Sequence, residues 1–334
     1  MSDRPILITG VAGFIASHTA EALLRAGRRV VGVDNFDPFY PQRLKQLNLA
    51  EVEKAAVTTG GGFEFIPGDI TDRVAMAHLF ERTHPGAVIH LAARAGVRPS
   101  IADPAGYAHA NVTGTSVLLE QCAKHGIDRV VIASSSSVYG TLAPGEKSRP
   151  FSETENVDRP ISPYAATKRA CELIGYTHHH LTKQPVAMLR FFTVFGPRQR
   201  PDLAIRSFMG KIAREETLTL FGDGTSSRDY TFVEDTIGGI LAALDRIPKF
   251  GYRIWNLGNS KPITLDAMVD SIAKVVGKPA KIERAPMQAG DVVATWADPT
   301  RSRDELGYEP KTSFEAGLEK QWQWLRQFEA AATK

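Results

Sequence analysis

The chain holds only two cysteines in 334 residues, Cys122 and Cys171, which excludes a disulfide framework. Both fall within helical patterns and read as buried thiols. No Cys/His cluster has metal-ligand spacing. His178, His179 and His180 are consecutive, so their side chains point in different directions around a helix, and no metal site is expected. No apolar stretch reaches the length of a membrane span and the N-terminus has no apolar signal core, so the cytosol is the default location. An excess of one charge is missing too. Forty Lys and Arg against 37 Asp and Glu leave +3 with no long basic block, which argues against a nucleic-acid partner.

What is present is an ordinary globular composition, 43% hydrophobic and 23% charged, long enough for one large α/β domain and a smaller appended one. In the first half short apolar runs alternate with helical patterns. Strands are predicted over 6–9, 30–34, 63–66, 87–91, 130–134 and 186–191, with helices near 14–26, 72–82, 108–125 and 164–181. That rhythm implies a doubly wound parallel Rossmann sheet. After Gly196-Pro197 it changes to shorter strands and scattered helices, a smaller C-terminal α/β substrate domain. The division is residues 1–193, rejoined by about 232–257, for the first domain and 194–231 with 258–334 for the second. Thr312-Ser313-Phe314-Glu315 reads as a capping box for the last helix, which carries Trp322 and Trp324.

The first strand runs into Gly10-Val11-Ala12-Gly13-Phe14-Ile15-Ala16 and then a helix, the context a dinucleotide fingerprint requires. Gly10 can take the tight turn, and Gly13 lets backbone amides approach a pyrophosphate at the helix N-terminus. Ala16 stands where the pattern takes Gly or Ala. The next strand ends at Asp34, about 20 residues on, where a carboxylate can bind both ribose hydroxyls and repel a 2′-phosphate. The cofactor indicated is NAD rather than NADP.

Tyr164 and Lys168 lie four apart in Ser162-Pro163-Tyr164-Ala165-Ala166-Thr167-Lys168, so they share one helix face. A phenol with a reference pKa of about 10 needs roughly three pK units, about 4 kcal/mol, to be half ionised near neutrality. One cation at ~4 Å supplies about that much at an effective dielectric near 20. The serine run Ala133-Ser134-Ser135-Ser136-Ser137-Val138-Tyr139-Gly140 follows a buried-strand pattern, at the strand end where open α/β sheets bind ligands. It completes a hydroxyl–phenol–amine set.

Further motifs stand in order: Gly68-Asp69-Ile70, His90-Leu91-Ala92-Ala93, Arg190-Phe191-Phe192-Thr193-Val194-Phe195-Gly196-Pro197, Arg228-Asp229-Tyr230-Thr231-Phe232-Val233-Glu234-Asp235 and Gly290-Asp291-Val292. With the fingerprint and Tyr164-x-x-x-Lys168 they resemble the extended short-chain dehydrogenase/reductase family over essentially the whole chain. Within it the chain is most similar to the NAD-dependent UDP-sugar epimerases, especially UDP-glucuronate 4-epimerases. The resemblance implies NAD on Gly10, Gly13, Phe14, Ile15, Asp34, Asn35, Asp69, Ile70, Leu91, Ala92 and Ala93, with Tyr164 as base, Lys168 as its partner and Ser135 as the catalytic Ser/Thr. It implies a UDP-sugar substrate, with Arg228 on the diphosphate and Asp291 on the uridine ribose, and a homodimer through the helices near 108–125 and 164–181.

Related 4,6-dehydratases carry Asp-Glu after the catalytic Ser/Thr, and related decarboxylases carry Glu before Val-Tyr-Gly. Here Ser136 and Ser137 stand in those places, which argues for epimerisation. Thr193, where UDP-galactose 4-epimerases usually have Asn, points to a uronate, as do Arg198-Gln199-Arg200 and Asp34-Asn35-Phe36-Asp37-Pro38-Phe39-Tyr40. Arg offers the planar fork a carboxylate needs, so Arg200 is the candidate for that role, with Thr193 and Ser136 donating hydrogen bonds; the alternative is that these arginines hold the diphosphate. Gln288 and Arg94 depart from the family pattern. UDP-glucose 4-epimerisation is the runner-up, ahead of a decarboxylase, a dehydratase or a non-catalytic NAD sensor on the same fold.

Overall fold

The computed structural model describes residues 4–141, 148–287 and 292–332. Its first stretch alternates as the sequence pattern implies. It runs β1 (Ile6–Thr9), α1 (Phe14–Arg25), β2 (Val30–Asp34), α2 (Gln42–Thr59), β3 (Phe63–Pro67), α3 (Arg73–Thr83) and β4 (Ala87–His90). Two short helices follow, α4 (Val97–Ala102) and α5 (Pro104–Tyr107), then a π-helical turn at Ala108–Thr113 and α6 (Gly114–Lys124). β5 (Arg129–Ser135) leads through a 3-10 turn at Ser136–Tyr139 towards α7 (Pro163–Thr182) and β6 (Val186–Phe191).

The remainder is β7 (Thr193–Phe195), α8 (Ala204–Ala213), β8 (Thr217–Phe221), β9 (Ser227–Phe232), α9 (Val233–Arg246), β10 (Tyr252–Leu257) and β11 (Pro262–Thr264). It closes with α10 (Leu265–Val276), β12 (Lys281–Ala285), β13 (Ala294–Thr295), α11 (Thr300–Leu306) and α12 (Phe314–Ala332).

Seven parallel strands form the main sheet in the order β10-β6-β5-β4-β1-β2-β3. β1, β2, β4 and β6 are buried along their whole length, as strands covered on both faces must be, and this is why they read as continuous apolar runs. α9 packs against α1, β5 and β6, and β10 adds the last strand beside β6. β7, β11 and β13 gather around β9 in a small second sheet, and β8 pairs with β12.

Several elements differ from the sequence-based expectation, among them the short helices α4 and α5, which no pattern indicates. α2 was not foreseen, because two of its four buried residues, Lys45 and Asn48, are polar and blur the apolar period. The helix expected over 108–125 begins as a π turn, which carries Asn111. The last helix is capped by Ser313, whose Oγ accepts from the Ala316 amide at 3.2 Å, not by Thr312, whose amide donates to Asp235.

The sheet order reverses at β1, with β4 on one side and β2 on the other. The crevice outside the carboxyl ends of strands at such a switch point is where open α/β sheets take ligands. Both cysteines are free and buried. Among the described residues no helix is long and apolar enough to cross a membrane.

Candidate active site

A cavity of about 560 Å³ opens at those strand ends. It is lined by Gly10, Asp34, Gly68, Leu91, Ser135 and Phe191, which lie at or just beyond the ends of β1 to β6 in turn. All of the residues expected to hold a dinucleotide line it: Gly10, Gly13, Phe14, Ile15, Asp34, Asn35, Asp69, Ile70, Leu91, Ala92, Ala93, Tyr164 and Lys168.

One part of the wall is built from backbone. Gly10 takes φ +72, and a Cβ there would lie 2.9 Å from the Cα of Ala92, so only glycine fits. Gly13 caps α1 with no side-chain hydrogen bond, and a Cβ there would meet the Gly10 carbonyl at 2.9 Å. The first-turn amides of α1 are therefore free to face an anion. Beyond β1, Asp34 is 7% exposed; its carboxylate accepts from the amides of Ala12 (3.1 Å) and Phe36 (2.8 Å). Burial raises its pKa, against Lys45 and those two amides. Lys45, brought in by α2, is pushed down by burial, against Asp34 and Asp37. Asp69 accepts from Asn35 Nδ2 at 2.7 Å and from the Thr71 amide and hydroxyl. Burial pushes its carboxyl up, but these hydrogen bonds hold it below the usual range. Glycine cradle, bare helix end and acceptor carboxylate fit a dinucleotide diphosphate and ribose.

The floor at Leu91 and Ala92 is set by a buried relay. Thr9 Oγ1 accepts from the Leu91 and Ala92 amides (3.2 and 3.1 Å), leaving its proton for His90 Nδ1 at 2.7 Å. Thr115 donates to the Asn111 carbonyl at 2.6 Å, so it accepts from His90 Nε2 at 3.0 Å. These bonds assign the Nε2–H tautomer, and burial, helped by the Lys168 charge, lowers the His90 pKa to about 3. Asn111 in turn bonds both backbone groups of Arg94, and its Nδ2 donates to Thr167. The π turn thus ties the wall of the cavity to α7.

In the middle of the cavity lie Ser135, Ser136, Ser137, Tyr164 and Lys168. Ser162 caps α7 by accepting from the Ala165 amide at 3.1 Å, and Pro163 opens its first turn, so Tyr164 and Lys168 come on successive turns of one face. The Tyr164 ring meets Tyr107 edge-on, centroids 6.3 Å apart. Lys168 is 5% exposed, and its Nζ donates to the Ala133 carbonyl at 2.8 Å. Ser135 Oγ accepts from the Ser137 amide at 3.1 Å, which leaves its own proton to donate. Behind them lies a buried ion pair. Glu172 takes Arg190 Nε and Nη2 at 2.8 Å each and the Ser134 hydroxyl at 2.7 Å, joining α7, β6 and β5.

A second part of the wall is charged. Thr193 and Arg200 line the cavity there. Arg200 stacks 5.2 Å over the Phe39 ring, and its Nε and Nη2 donate to Asp202 (3.1 and 2.8 Å). Arg94 is likewise engaged, with Asp37 and Asp103. Arg228 lies on β9 outside the cavity lining, its Nη1 donating to the Ser227 carbonyl. Asp291 and Gln288 lie outside the described residues. Lys45 and His109 line the cavity although no sequence motif points to them; Lys45 sits on the one helix whose apolar period is blurred.

A family model described as GDP-mannose 4,6 dehydratase matches residues 7–321. The chain belongs to the extended short-chain dehydrogenases/reductases. It is 42% identical over 322 residues to a UDP-glucuronate 4-epimerase of Thermodesulfobacterium geofontis, covering 96% of each chain. Its structure is similar to that of the Bacillus cereus UDP-glucuronic acid 4-epimerase in complex with UDP-glucuronic acid and NAD, with TM-score 0.88, 35% identity, 97% of this chain and 99% of that one. A UDP-glucose 4-epimerase of Thermotoga maritima with UDP-glucose reaches TM-score 0.87 at 30% identity, covering 97% and 99%. Membership therefore carries the extended-family fold and NAD-dependent epimerase relatives, while the backbone alone does not separate the two sugars.

Proposed function

We propose that the chain interconverts UDP-glucuronate and UDP-galacturonate by transient oxidation at C4. The observation that carries this reading is that the Gly10–Asp34 cradle and the Ser135, Tyr164 and Lys168 side chains line one cavity, with Arg200 on its wall. NAD bound in that cradle supplies acceptance and return of hydride at C4. Tyr164 takes the proton of the sugar's 4-hydroxyl and gives it back. Lys168, anchored on the Ala133 carbonyl, lines the same cavity as the phenol and acts as its partner. Ser135 donates its free proton to the same oxygen. Arg200 neutralises the uronate carboxylate, with Thr193 and Ser136 donating to it. Firm hold on that carboxylate matters, because the 4-keto sugar is a β-keto acid and loses CO₂ once the carboxylate rotates into line with the carbonyl π system.

In the same reading Arg228, Asp291 and Ser137 belong to the UDP-sugar side. Residues 1–193 with about 232–257 bind NAD, and 194–231 with 258–334 bind the UDP-sugar. The enzyme is cytosolic and forms a homodimer through α6 and α7, supported by the exposed apolar Leu173, Tyr176 and Leu181 on α7. One observation favours a second reading: Arg200 already carries the Asp202 carboxylate on one edge, which suits the neutral sugar of UDP-glucose.

Incubation with each nucleotide sugar, with products resolved by proton NMR, separates the two. Conversion of UDP-glucuronate to UDP-galacturonate with little turnover of UDP-glucose is expected. Preferred conversion of UDP-glucose would transfer the assignment to the second reading, and release of CO₂ would overturn both.

A further inference from the structure

The segment between β7 and α8, Gly196-Pro197-Arg198-Gln199-Arg200-Pro201-Asp202-Leu203, sends two arginines in different directions. Arg198 has φ +66, a left-handed conformation that a residue with a Cβ keeps only where its surroundings hold it. Its surroundings do. The Arg198 Nη1 lies 2.5 Å from Glu21 Oε1, with both side chains at most 10% exposed. Its Nε donates to His18 Nε2 at 3.3 Å. That acceptor is available because His18 Nδ1 donates to the Phe14 carbonyl at 2.9 Å, and because burial and the Arg198 charge lower the His18 pKa to about 3. Glu21 and His18 both belong to α1, the helix that opens on the glycine cradle.

The next residue is held from the other side. Gln199 is 1% exposed; its Nε2 donates to the Val194 carbonyl at 3.0 Å and its Oε1 accepts from Gln321 at 2.8 Å. Arg200 then enters the cavity lining, stacked on Phe39. Its Nε donates to Asp202, and its Nη2 to Asp202 and, at 3.5 Å, to the Ala95 carbonyl; among the described residues its Nη1 has no hydrogen-bond partner. Arg198 itself does not line the cavity, so it is not a ligand there.

We propose that Arg198 is a positioning residue for Arg200: its buried pairing with Glu21 and His18 fixes the segment so that Arg200 presents its Nη1 to the uronate carboxylate. The inference rests on the reading of Arg200 given above. It makes uronate selectivity depend on a contact with the cofactor helix rather than on Arg200 alone. Displacement of a recognition group by about 1 Å can cost up to ~100-fold, so the effect is measurable.

The test is calorimetric binding of UDP-glucuronate and of UDP to the NAD-loaded enzyme and its variants. Arg198→Ala is expected to weaken UDP-glucuronate by roughly 10- to 100-fold while UDP binds as in the parent. Glu21→Gln, which leaves the loop sequence intact, is expected to reproduce the selective loss even where Arg198→Ala folds poorly, and the double variant to lose no more than either single one. Equal weakening of UDP-glucuronate and UDP, or no weakening in Glu21→Gln, would overturn the proposal. Arg200→Ala separates this from the parent reading. If that variant binds UDP-glucuronate as well as the parent does, the carboxylate assignment itself fails. If it loses selectivity while Arg198→Ala and Glu21→Gln keep it, only the positioning role fails.

Discussion

Two parts of the cavity wall are built by different means. Around Gly10–Asp34 it is largely backbone: two glycines that no larger residue could replace, bare amides at the start of α1, and a carboxylate fixed by the amides of Ala12 and Phe36. Along Thr193–Leu203 it is a charged side chain, Arg200 paired with Asp202, while Arg198, outside the lining, pairs with Glu21, which Arg25 shares. Backbone offers one rigid shape for a ligand part common to many enzymes. Paired side chains can be exchanged without disturbing the strands beneath, and that is where relatives acting on different sugars on the same backbone can differ. Glu172 and Arg190 join α7, β5 and β6, and so hold Tyr164 and Ser135 to a common frame.

That contrast can be broken or sharpened by experiment. The largest effect is expected at the centre: Tyr164→Phe should lower kcat by about 10²- to 10⁴-fold while calorimetric UDP-sugar binding persists. Near-normal turnover would remove the phenol from the chemistry. Next, Glu172→Ala leaves Arg190 buried without its counter-ion and should cost ~3–5 kcal/mol in denaturant unfolding. A loss of under about 1 kcal/mol would show that solvent reaches the pair.

Smaller effects separate the two parts of the wall. Gly10→Ala imposes a Cβ at positive φ against Ala92 and should weaken NAD retention by about 10- to 100-fold, read as NAD content after gel filtration. Unaltered NAD content would mean that backbone fit does not govern this part. The mildest test is salt. Screening between about 0.05 and 0.5 M should raise KM for UDP-glucuronate a few-fold and leave NAD content constant. Equal sensitivity of both would erase the distinction.

The same contrast explains what could be read from the sequence. Gly10, Gly13 and Asp34 act through local geometry, so strand, turn and helix pattern point to them directly, and Tyr164 and Lys168 are four apart on one helix. Lys45 escaped notice because its helix buries Lys45 and Asn48 beside Leu49 and Val52, so no apolar period announces it. Asn111 was hidden in a run that reads as continuous helix, since a π turn leaves no mark in apolar spacing. The role of Arg198 was out of reach. Its partner His18 lies 180 positions away, and proximity across that distance exists only once the chain has folded. The same run of residues makes Arg200 a candidate by family resemblance and by its planar fork, yet the Asp202 pairing that occupies one of its edges is a matter of loop conformation.

The most direct test of C4 oxidation and return is isotopic. Pure enzyme, with no added cofactor or reductant, is incubated with UDP-glucuronate carrying deuterium at C4, and the UDP-galacturonate formed is analysed by NMR. Deuterium retained at C4 of the product is the predicted result. Loss of the label to solvent, or hydrogen from water at C4, would contradict the account.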